Sequence, residues 1–284
     1  MLVATHLVPS LAVTAMAVLL AARGAAHQSP AAAGLPAATL PLVALTVLAG
    51  QFSVGWSNDA IDAPMDAAVG RRDKPAATGL ISARTLWLAA FVALLASLAA
   101  SAALGPVALL INAVMTAVAW GYNLGLKATP FSALPYLVSF GLLTAFVADA
   151  LPGHPLPRWQ VAVAAGLLGA GAHFANVLPD LAADRASGVT GLPHWLAARY
   201  DQQRGQVAVR AVALVLLLAA SMLLMLAAGP HRRWVAVGGF GLALLLGAVA
   251  ARGTGRLPFL AAIGIAGVNA VMLVADGEAL TGQP

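Results

Sequence analysis

The chain has 284 residues, of which 61% are hydrophobic and 9% charged, with a mean hydropathy of +0.89. Soluble globules carry about 25% charged residues, and disordered chains are rich in charge and poor in apolar side chains, so both classes are excluded. The 15 Lys+Arg against 10 Asp+Glu give a formal net charge of +5, and the lack of cysteine removes disulfides, thiolate metal sites and cysteine nucleophiles.

Apolar runs long enough to cross the roughly 30 Å hydrocarbon layer recur along the chain. Nine are read: Leu7–Ala22, Thr39–Trp56, Leu86–Leu104, Val107–Trp120, Leu134–Leu151, Val161–Val177, Val207–Ala228, Trp234–Ala251 and Leu257–Ala275. The N-terminal MLVATHLVPS has no basic region, so Leu7–Ala22 is expected to be a first membrane helix rather than part of a cleaved signal peptide. Little more than Gly105 and Pro106 separates the third and fourth runs, which reads as a tight helical hairpin. Ala and Leu dominate and alternation is absent, which argues against strands. The expectation is an all-α polytopic membrane protein of about nine helices. No hydrophilic stretch is long enough for a separate soluble unit, so residues 1–284 are expected to form one domain.

The connecting segments sort into two sets by charge. Segments 57–85, 121–133, 178–206 and 252–256, with Arg210, hold 11 of the 15 basic residues, and the other set holds only Arg23, Arg158, Arg232 and Arg233. The positive-inside rule places the first set, and with it the N-terminus, in the cytoplasm. A plasma-membrane protein is expected. The basic excess is then a topology signal, and no nucleic-acid partner is implied.

The acids are not scattered. Seven of the ten fall in the same cytoplasmic set, and five of these lie in two short segments. Asn58-Asp59-x-x-Asp62-x-x-x-Asp66 and Asn176-x-x-x-Asp180-x-x-x-Asp184 share the pattern N-x-x-x-D-x-x-x-D, 118 positions apart. A four-residue step advances a helix by about 400°, so each trio is expected on nearly one helical face. Each trio begins at the cytoplasmic end of an apolar run. The repeat suggests a duplication into two halves, although the sequence between shows no obvious identity. Pro64 and Pro179 lie inside the two segments, where they either end the helices or bend them open toward the site.

Clustered carboxylates repel unless a cation neutralises them. Oxygen donors without Cys or clustered His favour a hard cation such as Mg2+, which carboxylates commonly share with substrate phosphates. Arg71, Arg72 and Lys74 follow the first segment and Arg185 follows the second. Acids and bases at one membrane face suit a metal-bound diphosphate.

At these residues the sequence resembles the UbiA superfamily of intramembrane prenyltransferases, over nearly its whole length. Asn58-Asp59-x-x-Asp62-x-x-x-Asp66 resembles the family's NDxxDxxxD, with Arg71 at its trailing arginine and Lys74-Pro75 where many members have Arg-Pro. Asp180-x-x-x-Asp184 with Gly188 resembles the DxxxD signature, and Gly191-Leu192-Pro193 the short segment after it. Tyr122 and Lys127, in WGYNLGLKATP, resemble the Tyr and Lys found after the fourth helix.

The resemblance implies a helical bundle around a central cavity. It also implies Mg2+-dependent transfer of a prenyl group from an isoprenyl diphosphate to an aromatic, quinone-precursor or lipid acceptor in the bilayer. Asp62, Asp66, Asp180 and Asp184 are then expected to hold Mg2+, with Asn58 and Asn176 orienting ligands. Arg71, Lys74 and Lys127 are expected at the diphosphate, and Tyr122 is expected to hydrogen-bond phosphate. A membrane terpene cyclase of the same family would ionise the same donor and let the cation react internally. A transporter using its acids for ion coupling is a reading of another class, and it predicts acids near the bilayer midplane.

Other residues are expected to be structural. Trp56 and Trp120 read as interface aromatics, His173 as a hydrogen-bonded interhelical residue and His194 as a loop residue. Gly238, Gly239 and Gly241 read as positions of close helix packing.

Overall fold

The computed structural model describes residues 7–28, 35–68, 70, 74–186, 189–276 and 278–281. Among these the secondary structure is helical: α1 (Leu7–His27), α2 (Thr39–Ala68), α3 (Ala83–Leu104), α4 (Pro106–Asn123), α5 (Leu134–Asp149), α6 (Trp159–Val177), α7 (Leu181–Ala186), α8 (Leu192–Ala197), α9 (Gln202–Ala227), α10 (Arg233–Arg252), α11 (Leu257–Ala275) and α12 (Glu278–Thr281). Eight of the described helices are long and apolar enough to cross a membrane. The remaining expected span, α5, has 16 residues, a rise of roughly 24 Å that falls short of the hydrocarbon thickness.

Successive long helices pack side by side, and α1 also lies against α11 and α5, which closes the bundle on itself. Gly105 makes the α3–α4 hairpin. Its φ of 142° lies where a side chain is strained, its N–H donates to the Ser101 and Ala102 carbonyls, and Pro106 opens the next helix.

Of the glycines expected at close helix packing, Gly239 meets a neighbouring helix, and the closest backbone approach is made by others. A Cβ on Gly166 would stand 2.7 Å from the Leu137 carbonyl, and one on Gly169 would stand 2.8 Å from the Tyr136 carbonyl, so α5 and α6 approach backbone to backbone. Gly239 packs on Met272, whereas Gly238 and Gly241 face open space.

Two clusters of polar side chains within the spans are internally hydrogen-bonded, as a low-dielectric surround favours. Asn112 Nδ2 of α4 donates to Ser97 Oγ and Ser101 Oγ of α3, both at 3.0 Å, and Ser97 Oγ donates to the Thr46 carbonyl of α2 at 2.8 Å. In the C-terminal half, Asn269 Nδ2 of α11 donates to the Leu217 carbonyl of α9 at 3.0 Å, and Ser221 Oγ donates to Asn269 Oδ1.

Candidate active site

The first motif rides on an extension of α2. The apolar run ends at Trp56, but the helix continues through Pro64 to Ala68, so Pro64 does not terminate it. Asn58, Asp62 and Asp66 therefore share one helix, as the spacing requires. Asn58 Nδ2 donates to Asp62 Oδ2 at 2.8 Å. Lys127 Nζ, from the loop between α4 and α5, donates to Asp62 Oδ1 at 2.5 Å. Both oxygens of Asp62 are thus held. Asp66 is buried near the helix end.

Asp59 is the carboxylate of the first motif to which the sequence reading assigns no role. One position along a helix turns the side chain by about 100°, so Asp59 leaves the face of the trio and enters the bundle. It is 1% exposed, and Lys74 Nζ donates to its Oδ1 at 2.5 Å. Its Oδ2 is buried and without a hydrogen-bond partner among the described residues. The adjacent Asn58-Asp59 pair was the available signal. Lys74 is accordingly oriented by Asp59.

The end of α4 is tied to α2 beside the motif. Asn123 Nδ2 donates to the Val54 carbonyl at 2.8 Å and to Ser57 Oγ at 2.9 Å. Trp120 Nε1 donates to Ser53 Oγ at 3.0 Å, and its ring packs with Trp87 and Phe91 of α3. Trp120 thus joins α4 to α2 and α3. Trp56 packs on Phe52.

The second motif is built differently. Asn176 lies in the last turn of α6, Asp180 in the turn after it and Asp184 in α7. Pro179 stands in that break, where it prevents one continuous helix. The second trio therefore does not share a single helical face, contrary to the expectation. Asn176 and Asp180 are exposed. His194, expected in a loop, lies in α8, and its Nε2 is 3.0 Å from Asp184 Oδ2.

The two motifs meet through the segment between α4 and α5. Tyr122 is edge-on to Tyr136 and His173, with ring centroids 5.3 and 6.0 Å apart, and Tyr136 stacks on His173 at 4.6 Å. These rings join α4, α5 and α6 one turn before Asn176. His173 Nε2 is 3.1 Å from Ser132 Oγ, so the ring is hydrogen-bonded to the α4–α5 segment rather than to a facing helix. Thr190 Oγ1 donates to the Ala128 carbonyl at 3.0 Å, and the Leu192 N–H donates to Ser132 Oγ at 2.9 Å. Between them Gly191, at φ 141°, lies so close that a Cβ would stand 2.7 Å from the Lys127 carbonyl. The chain after the second motif is thereby docked on the loop that carries Lys127.

Arg71, Arg72 and Gly188 lie outside the described residues, as does the side chain of Arg185. Among the described residues no three His, Cys, Asp or Glu side chains converge as a ready-made metal cluster. The structure thus does not gather Asp62, Asp66, Asp180 and Asp184 into one closed cage. What it provides is two sets of oxygen donors at one end of the bundle, with ammonium groups beside the first and an imidazole beside the second.

Solved structures of the same fold include a UbiA homolog from Archaeoglobus fulgidus bound to GPP and Mg2+, with TM-score 0.69, 19% identity and 99% of each chain covered. A UbiA homolog from Aeropyrum pernix K1, solved without ligand, has TM-score 0.69 and 21% identity, covering 93% of this chain and 97% of its own. A structure described as digeranylgeranylglyceryl phosphate synthase has TM-score 0.69 and 15% identity, covering 97% of this chain and 96% of its own. No curated protein matches significantly in sequence. The sequence model of the UbiA prenyltransferase family matches residues 10–256, which takes in both motifs, and the chain belongs to that family.

Proposed function

We propose that this protein transfers a prenyl group from an isoprenyl diphosphate to an aromatic, quinone-precursor or lipid acceptor in the bilayer, using Mg2+ at the cytoplasmic face of the plasma membrane. The observation that carries the reading is the Lys127–Asp62 pair at the junction of the two motif segments. It sets a cation beside a carboxylate where a metal-bound diphosphate needs both. Acids at one end of the bundle also fit this chemistry better than ion coupling, which needs them at mid-depth.

The donor set suits Mg2+. All candidate ligands are oxygens, and the chain has no cysteine. A metal that takes one or two carboxylates and completes its shell with phosphate oxygens needs no three-carboxylate cage. In this reading Asp62, Asp66, Asp180 and Asp184 hold the metal, with Asn58 and Asn176 orienting ligands. When bound, Mg2+ supplies neutralisation of the charge that develops on the departing diphosphate.

The remaining work falls to the chain itself. Lys127 and Arg71 contact the diphosphate oxygens, and Lys74 does so from the position that Asp59 fixes. Tyr122 donates its hydroxyl proton to a phosphate oxygen as a hydrogen bond. The prenyl tail lies between apolar helices, and the electron-rich acceptor attacks C1 of the allylic group as the C–O bond breaks. The new bond forms at C1, the electron pair of the broken bond leaves with diphosphate, and the acceptor's proton passes to solvent.

The test uses purified protein in detergent with Mg2+, donors from C10 to long chain, and phenolic, quinoid and lipid acceptors, read by mass spectrometry. The expected result is an acceptor-dependent prenylated product that Asp62→Ala and Asp180→Ala abolish. A cyclic hydrocarbon or alcohol formed without acceptor would overturn the reading in favour of cyclisation. Unchanged diphosphate release in both variants would overturn the site.

A further inference from the structure

We propose that His194 is the positioning residue that orients Asp184 for metal binding and keys the second motif to the Lys127 loop. The proposal rests on the reading that Asp184 helps to hold a divalent cation. Asp184 sits on α7, a helix of six residues, too short to fix a carboxylate by its own packing. His194 lies in α8, whose start is anchored three ways to the α4–α5 segment. Thr190 Oγ1 donates to the Ala128 carbonyl, the Leu192 N–H donates to Ser132 Oγ, and Gly191 lies against the Lys127 carbonyl. The imidazole extends from that anchored base to Asp184 Oδ2 at 3.0 Å.

The exposures assign the roles. The His194 side chain is 12% exposed and that of Asp184 is 28% exposed, so the ring is walled in while the carboxylate remains reachable. Because a carboxylate accepts, the 3.0 Å contact puts a proton on Nε2. Nδ1 is then buried with no hydrogen-bond partner among the described residues. A buried nitrogen without a partner costs stability, so the ring is held at some cost against the carboxylate it orients. Imidazole and other donors that fix a ligating carboxylate tune metal affinity without touching the metal.

The experiment measures Mn2+ binding to the full-length protein in detergent with inorganic pyrophosphate, read by electron paramagnetic resonance, with thermal unfolding of the same samples. His194→Ala is expected to weaken Mn2+ binding about tenfold. His194→Gln, which keeps an N–H donor at similar reach, is expected to lie within about threefold of the unaltered protein. In an Asp184→Asn background, His194→Ala is expected to add less than about twofold. Unaltered binding in His194→Ala, equal loss in the Ala and Gln variants, or additive loss in the double variant overturns the proposal. Unaltered binding in Asp184→Asn overturns it together with the metal role of Asp184. If the expected Mn2+ pattern appears but the unaltered protein releases no diphosphate from any prenyl donor, the proposed function fails and the role of His194 stands.

Discussion

Lys127 and Asp62 are 65 positions apart in sequence, yet the ammonium lies 2.5 Å from Asp62 Oδ1. The contact spans from the α4–α5 loop to the extension of α2, while Asn58 holds the second oxygen from within the same helix. The pair is partly sheltered, with side-chain exposures of 26% and 17%, so it is neither a solvated surface bridge nor a sealed one. A ligand can reach both groups.

Replacing Lys127 with Met is expected to lower diphosphate release about 100-fold, since it removes a fixed cation from the developing negative charge. Lys127→Arg keeps the charge but changes a compact ammonium into a planar fork, so an intermediate rate is expected. Steady-state release of diphosphate from a prenyl donor, with an acceptor present, checks both.

The Asp59–Lys74 pair makes a different prediction. Their side chains are 0% and 13% exposed, so removing one partner leaves a charge in the interior. Lys74→Met is expected to destabilise the fold by about 3 kcal/mol. The double variant Lys74→Met with Asp59→Asn is expected to recover much of that loss, because no lone charge remains. Thermal unfolding in detergent reads the comparison, and equal loss in single and double variants would refute it.

Gly191 and Gly125 offer a matched pair. Their φ values are 141° and 142°, but a Cβ on Gly191 meets the Lys127 carbonyl at 2.7 Å while one on Gly125 meets nothing within 4 Å. Both alanine variants carry backbone strain of about 1–3 kcal/mol. Only Gly191→Ala is expected to displace the Lys127 loop, with a larger fall in melting temperature and at least tenfold slower turnover. Parallel melting curves and rates for the two variants decide it.

Much of this was legible in the sequence because the controlling rules are local. Apolar run length identified the long helices, and a four-residue step put Asn58, Asp62 and Asp66 on one helix. The same step failed for Asn176, Asp180 and Asp184, because Pro179 breaks the helix between them. The role of Asp59 was not legible since its partner Lys74 is 15 positions away and is set by how the chain folds back. His194 was read as a loop residue for the same reason. A contact with Asp184 ten positions earlier depends on the anchoring of α8, which no periodicity encodes. The expectation of packing at Gly238 and Gly241 failed because a glycine in a membrane helix is equally compatible with facing open space.

The buried Asn112 cluster is expected to contribute to stability and not to chemistry. Asn112→Ala removes its side-chain bonds to Ser97 and Ser101. Membrane side-chain hydrogen bonds average about 0.6 kcal/mol, so a loss of roughly 1–2 kcal/mol in unfolding free energy is expected. Turnover per folded molecule should be unchanged, which rate measurements normalised to monodisperse protein will check.

The docking of Thr190 on Ala128, 62 positions earlier, has a consequence for biogenesis. Chains are synthesised and domains assemble from the N-terminus onward. The Lys127–Asp62 contact is available once the loop after α4 has emerged, whereas the clasp at Thr190, Gly191 and Leu192 must wait until α5, α6 and α7 have followed. The two motif segments are therefore joined in a fixed temporal order. A nascent chain arrested after α6 has one half of the site and lacks the clasp that joins it to the other.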